Sequence, residues 1–297
     1  MTGLDFSIVI PTYNRPDRLR LCLAAISQLN YPFDRFEVIV VDDGSPTLLH
    51  PIVEPFQAQL QLTLLRQVNA GPASARNAGA MLAKGEFLVF TDDDCTPTPT
   101  WLTAFQAQFG ITPTDLLGGQ TLNALPQNLC STASQILIDY LYGYYNRNDR
   151  TAHFFASNNF ALPTALFRVL GGFNTAFPLA AGEDREFCDR WLHQGYAMTY
   201  VPQAQIYHAH RLNLQTFWRQ HFNYGRGAFC FHQLRSQRYQ ETIKVEALPF
   251  YLNLLTYPFL TASPIVAPLL SSLLLLSQIA NVMGFVWERQ HSLSALT

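Results

Sequence analysis

Three consecutive aspartates, Asp92, Asp93 and Asp94, follow the apolar run E-F-L-V-F at residues 86–90. Their carboxylates repel one another, so a fold gains no stability from placing them side by side. Carboxylates clustered at the end of a strand usually bind a hard divalent cation, which cancels the repulsion and can bridge phosphate oxygens. We therefore expect a cation site here, and a solvated acidic loop is the structural alternative.

Two further polar clusters contain residue types that suit a nucleotide. V-V-D-D-G-S at 40–45 ends an apolar run with Asp42 and Asp43, which could accept hydrogen bonds from a base or a ribose. Taken alone, this segment is simply a favourable turn. N-A-G-P-A-S-A-R-N-A-G at 69–79 is a glycine-rich entry to a helix, which suits phosphate, and Arg76 could reach an anion or lie on the surface.

A fourth cluster, G-E-D-R-E-F-C-D-R-W at 182–191, places Glu183 and Asp184 at a helix start that follows a glycine. Acids in the first turn stabilise a helix through its dipole, which is the structural explanation for them. The functional alternative applies if this helix begins over the same crevice as the other three clusters.

The elements that must position these clusters alternate between strands and helices in the first hundred residues. Continuous apolar runs predict strands and amphipathic spacing predicts helices. The strands are expected at 6–10, 36–41, 62–66 and 86–91, and the helices at 15–29, 47–59 and 71–85. This order predicts a doubly wound, mostly parallel α/β sheet. Ligands bind beyond the carboxyl ends of such strands, and a polar segment follows each of the four, so we expect one crevice there.

The second half of the chain is less regular. We expect a strand at 116–122, a helix at 134–145, a strand and turn at 157–163, a helix at 182–195 and a strand at 197–202. An amphipathic helical arm is expected at 213–246, followed by an apolar tail at 247–297.

Together, the motifs resemble those of the family 2 glycosyltransferases of the GT-A fold, in the family's order, from about residue 6 to 230. V-I-P-T-Y-N-R-P, V-V-D-D-G-S, N-A-G-P-A-S-A-R-N-A-G and F-T-D-D-D resemble its nucleotide-sugar half. G-G-F-N at 171–174, G-E-D-R-E-F-C-D-R and Y-G-R-G at 224–227 resemble its acceptor half. The resemblance implies a GT-A domain at 1–212, with a nucleotide-sugar half at 1–98 and an acceptor half at 99–212.

The resemblance also implies roles for individual donor-site residues. The substrate-binding set comprises Pro11, Thr12, Tyr13, Arg15, Asp42, Asp43, Arg76, Asp92, Asp93 and Glu183. Within that set, Thr12, Tyr13, Arg15 and Asp42 would hold the nucleobase, and Arg76 would lie near the base or the phosphates. Asp93 would bind the ribose and Asp94 would bind Mg²⁺ or Mn²⁺. Asp92 would be a supporting acid, although a D-x-D pattern would pair it with Asp94.

The same resemblance implies an inverting transfer with Asp184 as the general base, which takes a proton from the acceptor hydroxyl as that oxygen attacks the anomeric carbon. His208, in Y-H-A-H, would be a metal or diphosphate ligand, and a histidine packed at the surface is the alternative. Processive synthases of the family carry Q-x-x-R-W, which Q-T-F-W-R-Q at 215–220 does not match, so we expect transfer of a single sugar.

Two other classes of protein compete with this interpretation. L-V-F-T-D-D-D-C-T at 88–96 also fits the nucleophile motif of haloacid-dehalogenase-type phosphatases, with Asp92 as the covalent nucleophile. That family needs a downstream lysine, and Lys244 in the arm is the only one after the motif. A non-catalytic protein that binds nucleotide sugars is the second alternative, and the complete set of acids argues against it.

Composition separates the tail from the rest of the chain. The chain is 48% apolar and only 13% charged, and residues 247–287 contain no charged side chain. Residues 264–286 are long enough to span a bilayer, although an interfacial helix, a hairpin at the prolines or a buried helical pair remain open. The basic flank at 208–244 predicts attachment at the cytoplasmic face. We expect a UDP-sugar donor and a lipid-linked or cell-envelope glycan acceptor, and the net charge of −2 gives no indication of nucleic acid.

Overall fold

A computed structural model of the protein describes residues 3–146, 152–177, 181–243 and 245–294. Its strands are β1 (Phe6–Thr12), β2 (Phe36–Asp42), β3 (Leu62–Arg66), β4 (Phe87–Thr91), β5 (Cys95–Pro97), β6 (Leu116–Asn123), β7 (Asn159–Pro163) and β8 (Met198–His208). Its helices are α1 (Pro16–Ile26), α2 (His50–Val53), α3 (Pro72–Leu82), α4 (Trp101–Phe109), α5 (Leu129–Tyr145), α6 (Thr164–Val169), α7 (Glu183–His193), α8 (Leu214–Tyr239), α9 (Leu248–Thr256), α10 (Pro258–Thr261) and α11 (Ala267–Ser294).

All eight strands belong to one sheet with the order β3-β2-β1-β4-β7-β6-β8-β5. β1 pairs in parallel with β2 and β4, and β2 pairs in parallel with β3. Every residue of β1 and β2 is buried, because helices cover both faces of this part of the sheet. The prediction of a doubly wound parallel sheet is therefore confirmed for the first four strands.

Beyond β4 the sheet is mixed. β7 runs antiparallel to both β4 and β6, β8 pairs in parallel with β6, and β5 pairs antiparallel with β8. β5 was not expected from the sequence, and β8 continues to His208, beyond the predicted end at residue 202. β5 has only three residues and ends in Pro97, which is tolerated because the strand lies at the edge of the sheet. This extension brings the end of β8 to the same edge as the triple aspartate.

Two apolar clusters hold the sheet between its helices. On one face, Leu23 of α1 and Trp101 and Phe105 of α4 pack against β1, β2 and β4. On the other face, Ala75 of α3 and Trp191 of α7 belong to a second cluster with β4 and β7. Because these five side chains are at or near full burial, the two layers hold the carboxyl ends of the strands in fixed positions.

The expected helical arm is α8, which begins at a capping box formed by Asn213 and Thr216. The apolar tail forms α9, α10 and α11, and α11 packs along α8. At Gly225 a Cβ would overlap the carbonyl oxygen of Asn281, and at Gly284 a Cβ would overlap that of Phe222. Glycines at these two positions therefore let the two helix backbones come into contact.

One helix of the described residues, Ala267–Ser292, is long and apolar enough to cross a membrane, with a mean hydropathy of 1.8. Only 28% of its most apolar window is buried within the protein. Its exposed large side chains include Leu269, Leu275, Ile279, Met283 and Val286. The C-terminal part of the chain thus provides an apolar surface that the rest of the fold leaves uncovered.

Three arginines of the basic flank, Arg226, Arg235 and Arg238, form ion pairs within the protein. Arg226 Nε lies 2.6 Å from Glu288 Oε2 of α11. Arg238 pairs with Glu186 and Asp189 of α7. Arg235 pairs with Asp189 as well, and Lys244 lies outside the described residues. These arginines join α8 to its neighbours, so much of the flank is not free for lipid headgroups.

Candidate active site

A cavity of about 950 Å³ opens at the carboxyl ends of β1 and β4. It brings together the expected site residues from all four polar clusters: Pro11, Thr12, Tyr13, Arg15, Asp43, Arg76, Asp92, Asp93, Asp94, Glu183, Asp184 and His208. Asp42 alone of the expected residues is not in its wall. The shared crevice that was expected from strand order is therefore present in the structure.

Asp42 and Asp43 point in different directions at the end of β2. Asp42 is buried, and its Oδ1 accepts a hydrogen bond of 2.8 Å from the backbone N–H of Ser45, which closes the turn. Asp43 lines the cavity and accepts 2.9 Å hydrogen bonds from the N–H groups of Ala70 and Gly71, just before α3. Asp43 therefore faces the crevice, while Asp42 maintains the loop.

Asp93 connects the ends of β1 and β4. Thr12 Oγ1 donates a 2.7 Å hydrogen bond to Asp93 Oδ2, and Arg15 Nη1 donates a 3.2 Å hydrogen bond to Asp93 Oδ1. Burial raises the pKa of Asp93 to about 6, in spite of the opposing charge of Arg15. The charged form of Asp93 is thus poorly solvated, and a further hydrogen-bond donor would stabilise it.

Asp94 faces His208 across the pairing of β5 with β8, in which Cys95 is the partner of His208. Asp94 Oδ1 lies 3.2 Å from His208 Nε2, and Arg18 Nη1 donates a 2.8 Å hydrogen bond to Asp94 Oδ2. Burial by itself would raise the pKa of Asp94, but the hydrogen bond and charge of His208 lower it well below its usual range. Burial alone would lower the pKa of His208. The hydrogen bond and the charge of Asp94 outweigh burial, so the pKa of His208 is raised above its usual value.

The possible metal-ligand atoms around Asp94 suit a divalent cation. Side-chain ligand atoms of Asp94, Cys95 and His208 lie within 4.8 Å of one another. A carboxylate with an imidazole suits a first-row cation such as Mn²⁺. Burial raises the pKa of Cys95 well above its usual value, so its neutral thiol is a poor ligand. Asp94 and His208 are therefore the residues that could hold the ion.

Arg76 is a buried bridge and not a surface residue. Its side chain is only 5% exposed; its Nη2 lies 2.7 Å from Asp92 Oδ1, and its Nη1 lies 3.1 Å from Glu183 Oε1. Among the described residues, Glu183 Oε2 and Arg76 Nε are buried without a hydrogen-bond partner. The bridge joins the end of β4 to the start of α7, and it leaves one carboxylate oxygen of Glu183 buried without a hydrogen bond.

Asp184 lies in the first turn of α7, directly after Gly182 and Glu183. Its Oδ1 accepts a 2.7 Å hydrogen bond from the N–H of Arg185, and its Oδ2 accepts a 3.4 Å hydrogen bond from the N–H of Ser157. Burial raises the pKa of Asp184, and burial together with the charge of Asp184 raises the pKa of Glu183. A carboxylate with a raised pKa is better suited to removing a proton than an ordinary one.

Several residues of the cavity wall were not predicted from the sequence. Arg18 lies in the first turn of α1 and follows Arg15, the residue before the helix, by three positions, a spacing that could have indicated a pair of arginines at the acids. Polar side chains of α8 also line the cavity: Arg219, Gln220, Asn223 and Tyr224. Their helical spacing was visible in the sequence, but nothing local placed α8 over the sheet.

Comparisons with known proteins agree with this geometry. A family model described as glycosyl transferase family 2 matches residues 7–170, and one described as glycosyl transferase family group 2 matches residues 92–288. A hyaluronan synthase from Pasteurella multocida is 28% identical over 240 residues, which cover 69% of this chain. The chain spans only 24% of the length of that synthase.

Two solved structures resemble the chain in fold. The mannosyltransferase PcManGT from Pyrobaculum calidifontis, in complex with GDP-Man and Mn²⁺, has a TM-score of 0.65 at 17% identity, over 95% of this chain and 88% of that one. TarS 1–349 from S. aureus, in complex with UDP-GlcNAc, has a TM-score of 0.54 at 19% identity, over 98% of this chain and 92% of that one.

The sheet, with acids at its carboxyl edge, has the GT-A fold, which the mannosyltransferase structure resembles. The chain belongs to glycosyltransferase family 2. This membership replaces the phosphatase interpretation of Asp92, whose carboxylate is paired with Arg76.

Proposed function

We propose that the protein is an inverting, metal-dependent glycosyltransferase that moves one sugar from a nucleotide sugar to an acceptor hydroxyl. The observation that carries this proposal is the position of Asp184 in the same cavity as Asp94 and His208. A partly buried carboxylate with a raised pKa thereby shares one space with two residues that could hold a cation. This is the arrangement that a single displacement at an anomeric carbon requires.

The donor lies across the ends of β1, β2 and β4. Tyr13, with 49% of its surface exposed at the cavity, contacts the nucleobase together with Asp43. Asp93 accepts a hydrogen bond from a ribose hydroxyl. Arg15 and Arg18, which neutralise Asp93 and Asp94 in the structure, are in reach of the diphosphate. We propose a UDP-sugar as the donor, which is the type of ligand bound in the compared TarS structure.

Asp184 accepts the proton of the acceptor hydroxyl while that oxygen forms a bond to the anomeric carbon. The bond from the same carbon to the diphosphate breaks from the opposite side, so the configuration inverts. When bound at Asp94 and His208, a divalent cation supplies positive charge to the leaving diphosphate. Arg76 holds Glu183 at the start of α7 and thereby fixes the direction of the base.

We further propose that the protein works at the cytoplasmic face of a membrane and that α11 lies in the plane of the interface. The close contacts at Gly225 and Gly284 mean that α11 could not cross a bilayer without carrying α8 with it. α8 contains Arg219 and Arg226, whose burial in hydrocarbon would be costly. The exposed apolar side chains of α11 instead suit the boundary between headgroups and acyl chains.

The decisive experiment compares the wild type with Asp184→Asn. Thermal-shift measurements with a panel of nucleotide sugars and Mn²⁺ identify the donor, and both proteins are expected to bind it equally. Transfer to the acceptor is expected to fall by at least about 100-fold in the variant, the lower range for loss of a general base. Transfer at the wild-type rate would remove Asp184 from the mechanism, and failure of every nucleotide sugar to bind would remove the whole proposal.

A further inference from the structure

The cavity extends well beyond the reacting groups, into a channel between α5, α8 and α11. Polar side chains of α8 and α11, among them Arg219, Asn223 and Gln278, form part of the wall of this extension. Another stretch of the wall is apolar and is formed by Leu137, Ile138 and Leu141 of α5, Phe250 of α9, and Val282 and Phe285 of α11. None of these residues is needed to bind a nucleotide or to hold a cation. The extension therefore requires an explanation of its own.

The channel begins at the proposed base. Arg185, the residue after Asp184, donates a 3.2 Å hydrogen bond to Tyr145 Oη at the end of α5, and its guanidinium lies 4.6 Å from the ring centre of Phe231 in α8. Phe285 of α11 packs with α8 in turn, with its ring centre 5.3 Å from that of Phe229. These contacts link the start of α7 through α8 to Phe285, which is part of the apolar stretch of the wall.

The channel also reaches the uncovered face of α11. Val282 lines the cavity, yet 61% of its surface is exposed. Its neighbours on that face, Ile279, Met283 and Val286, are exposed as well and lie outside the cavity wall. Val282 therefore marks a mouth where the inside of the channel joins the apolar outer surface of the helix.

We propose that the acceptor is an amphiphile, whose hydroxyl-bearing head lies at Asp184 and whose apolar chain runs between α5 and α11 and leaves past Val282. This inference rests on the proposed function, since it assigns the acceptor of the same site. Along the apolar stretch of the wall, a polysaccharide would set its hydroxyls against apolar side chains and lose their hydrogen bonds to water. An alkyl chain loses none, and it gains from leaving water.

The test uses the full-length protein, Mn²⁺, the nucleotide sugar that it binds, and three acceptors with one sugar head: the methyl, octyl and dodecyl β-glycosides. Each acceptor is kept below its critical micelle concentration. The value of kcat/KM is expected to rise by about tenfold or more from methyl to dodecyl, because each buried methylene contributes to binding. Equal values for the three acceptors, or a preference for a soluble oligosaccharide, overturn the inference.

Two adjacent positions of α11 provide a matched pair of variants. Val282→Gln places a polar group at the mouth of the channel, and it is expected to lower the dodecyl-to-methyl ratio at least about threefold. Met283→Gln changes a side chain of similar exposure that is not in the wall, so it is expected to leave the ratio unchanged. Equal effects of the two variants also overturn the inference, since they would reflect the outer surface alone.

Donor binding separates this inference from the function on which it rests. Wild-type protein that binds a nucleotide sugar and transfers to the methyl and dodecyl glycosides equally retains its proposed function and loses the amphiphilic acceptor. Protein that binds no nucleotide sugar in the presence of Mn²⁺ contradicts both. Both variants are expected to bind the donor as the wild type does, which shows that they are folded.

Discussion

Arg76 Nη1 lies 3.1 Å from Glu183 Oε1, although the two residues are 107 positions apart in the chain. Both side chains are only 5% exposed. The same guanidinium contacts Asp92 through Nη2. One buried cation therefore connects the acids that follow β4 with the acids that begin α7. This single side chain therefore holds the two ends of the cavity in a fixed position relative to each other.

Removal of that cation is expected to be costly. Arg76→Ala leaves Glu183 buried without its partner, and loss of one partner from a buried ion pair typically costs about 3–5 kcal/mol. The free energy of unfolding, measured by urea denaturation, should fall by an amount in that range. Arg20→Ala is the control, because Arg20 is exposed and its ion pair with Asp17 is worth at most about 1 kcal/mol. Equal losses in the two variants would contradict the bridging role of Arg76.

The rate of transfer should depend on pH through the acids in the first turn of α7, Glu183 and Asp184. Asp184 acts as a base only when it is ionised, and burial raises its pKa. The rate therefore falls as the pH drops through that raised value, and the acid limb of kcat should lie above the ordinary carboxyl range of about 4. The measurement is kcat against pH at saturating donor and Mn²⁺.

Glu183→Gln removes a negative charge beside Asp184, so the acid limb is expected to move to lower pH even if the maximal rate changes. Glu54→Gln changes an exposed acid outside the cavity, and it should leave the position of the limb unaltered. A limb at the ordinary position in the wild type would contradict the raised pKa of the base.

Cation binding should depend on Asp94 and His208. Asp94→Asn removes a carboxylate ligand and is expected to weaken Mn²⁺ binding by at least about tenfold, the lower end of the loss seen even for residues that only support ligands. His208→Gln should weaken it as well. Titration of Mn²⁺ followed by its electron paramagnetic resonance signal gives the affinity directly.

Asp92→Asn serves as the comparison, because the structure pairs Asp92 with Arg76 and not with His208. This variant should retain most of the Mn²⁺ affinity. A larger loss for Asp92→Asn than for Asp94→Asn would favour the D-x-D pattern, with Asp92 as a ligand. Chelation with EDTA should stop transfer by the wild type, and added Mn²⁺ should restore it.

The orientation of α11 can be tested on membranes. An interfacial helix is expected to be released from vesicles by alkaline carbonate, whereas a spanning helix stays in the bilayer. Exposed residues of the outer face dominate the binding, so the double variant Leu275→Glu and Ile279→Glu should float with vesicles much less than the wild type. Resistance of the wild type to carbonate would indicate a spanning helix.

A substitution of equal charge on a polar part of the surface controls for net charge. The control pair is Gln59→Glu with Gln61→Glu, at exposed positions just before β3, which is an edge strand of the sheet. This pair should leave vesicle flotation unchanged. Equal loss of flotation in the two double variants would indicate that charge alone, and not the apolar face, governs the attachment.

Much of the sheet in the first hundred residues could be predicted from local sequence patterns. Continuous apolar runs identified β1, β2 and β4 to within about one or two residues, because strands buried on both faces contain few polar positions. Parallel strands place their carboxyl ends at one edge, so Thr12 and Asp93 were expected near each other, and they form a hydrogen bond.

The direction in which each side chain points could not be predicted from the sequence pattern. Asp42 and Asp43 are identical in type and adjacent, yet Asp43 faces the cavity and Asp42 the turn. Successive residues of a strand point to opposite sides, so a shift of one residue at the strand end exchanges their positions. The choice depends on how the following turn closes on Ser45 and on α3.

Residue types and their order in the chain were sufficient to identify the family, the first four strands and most of the acids of the cavity. Packing between distant segments alone specified the direction of β7, the pairing that sets His208 beside Asp94, the burial of Arg76 and the placement of α11 along α8. The physical reason is that hydrophobic periodicity and turn residues act over a few neighbours. Strand partners and buried ion pairs depend instead on segments that meet only when the whole chain has folded.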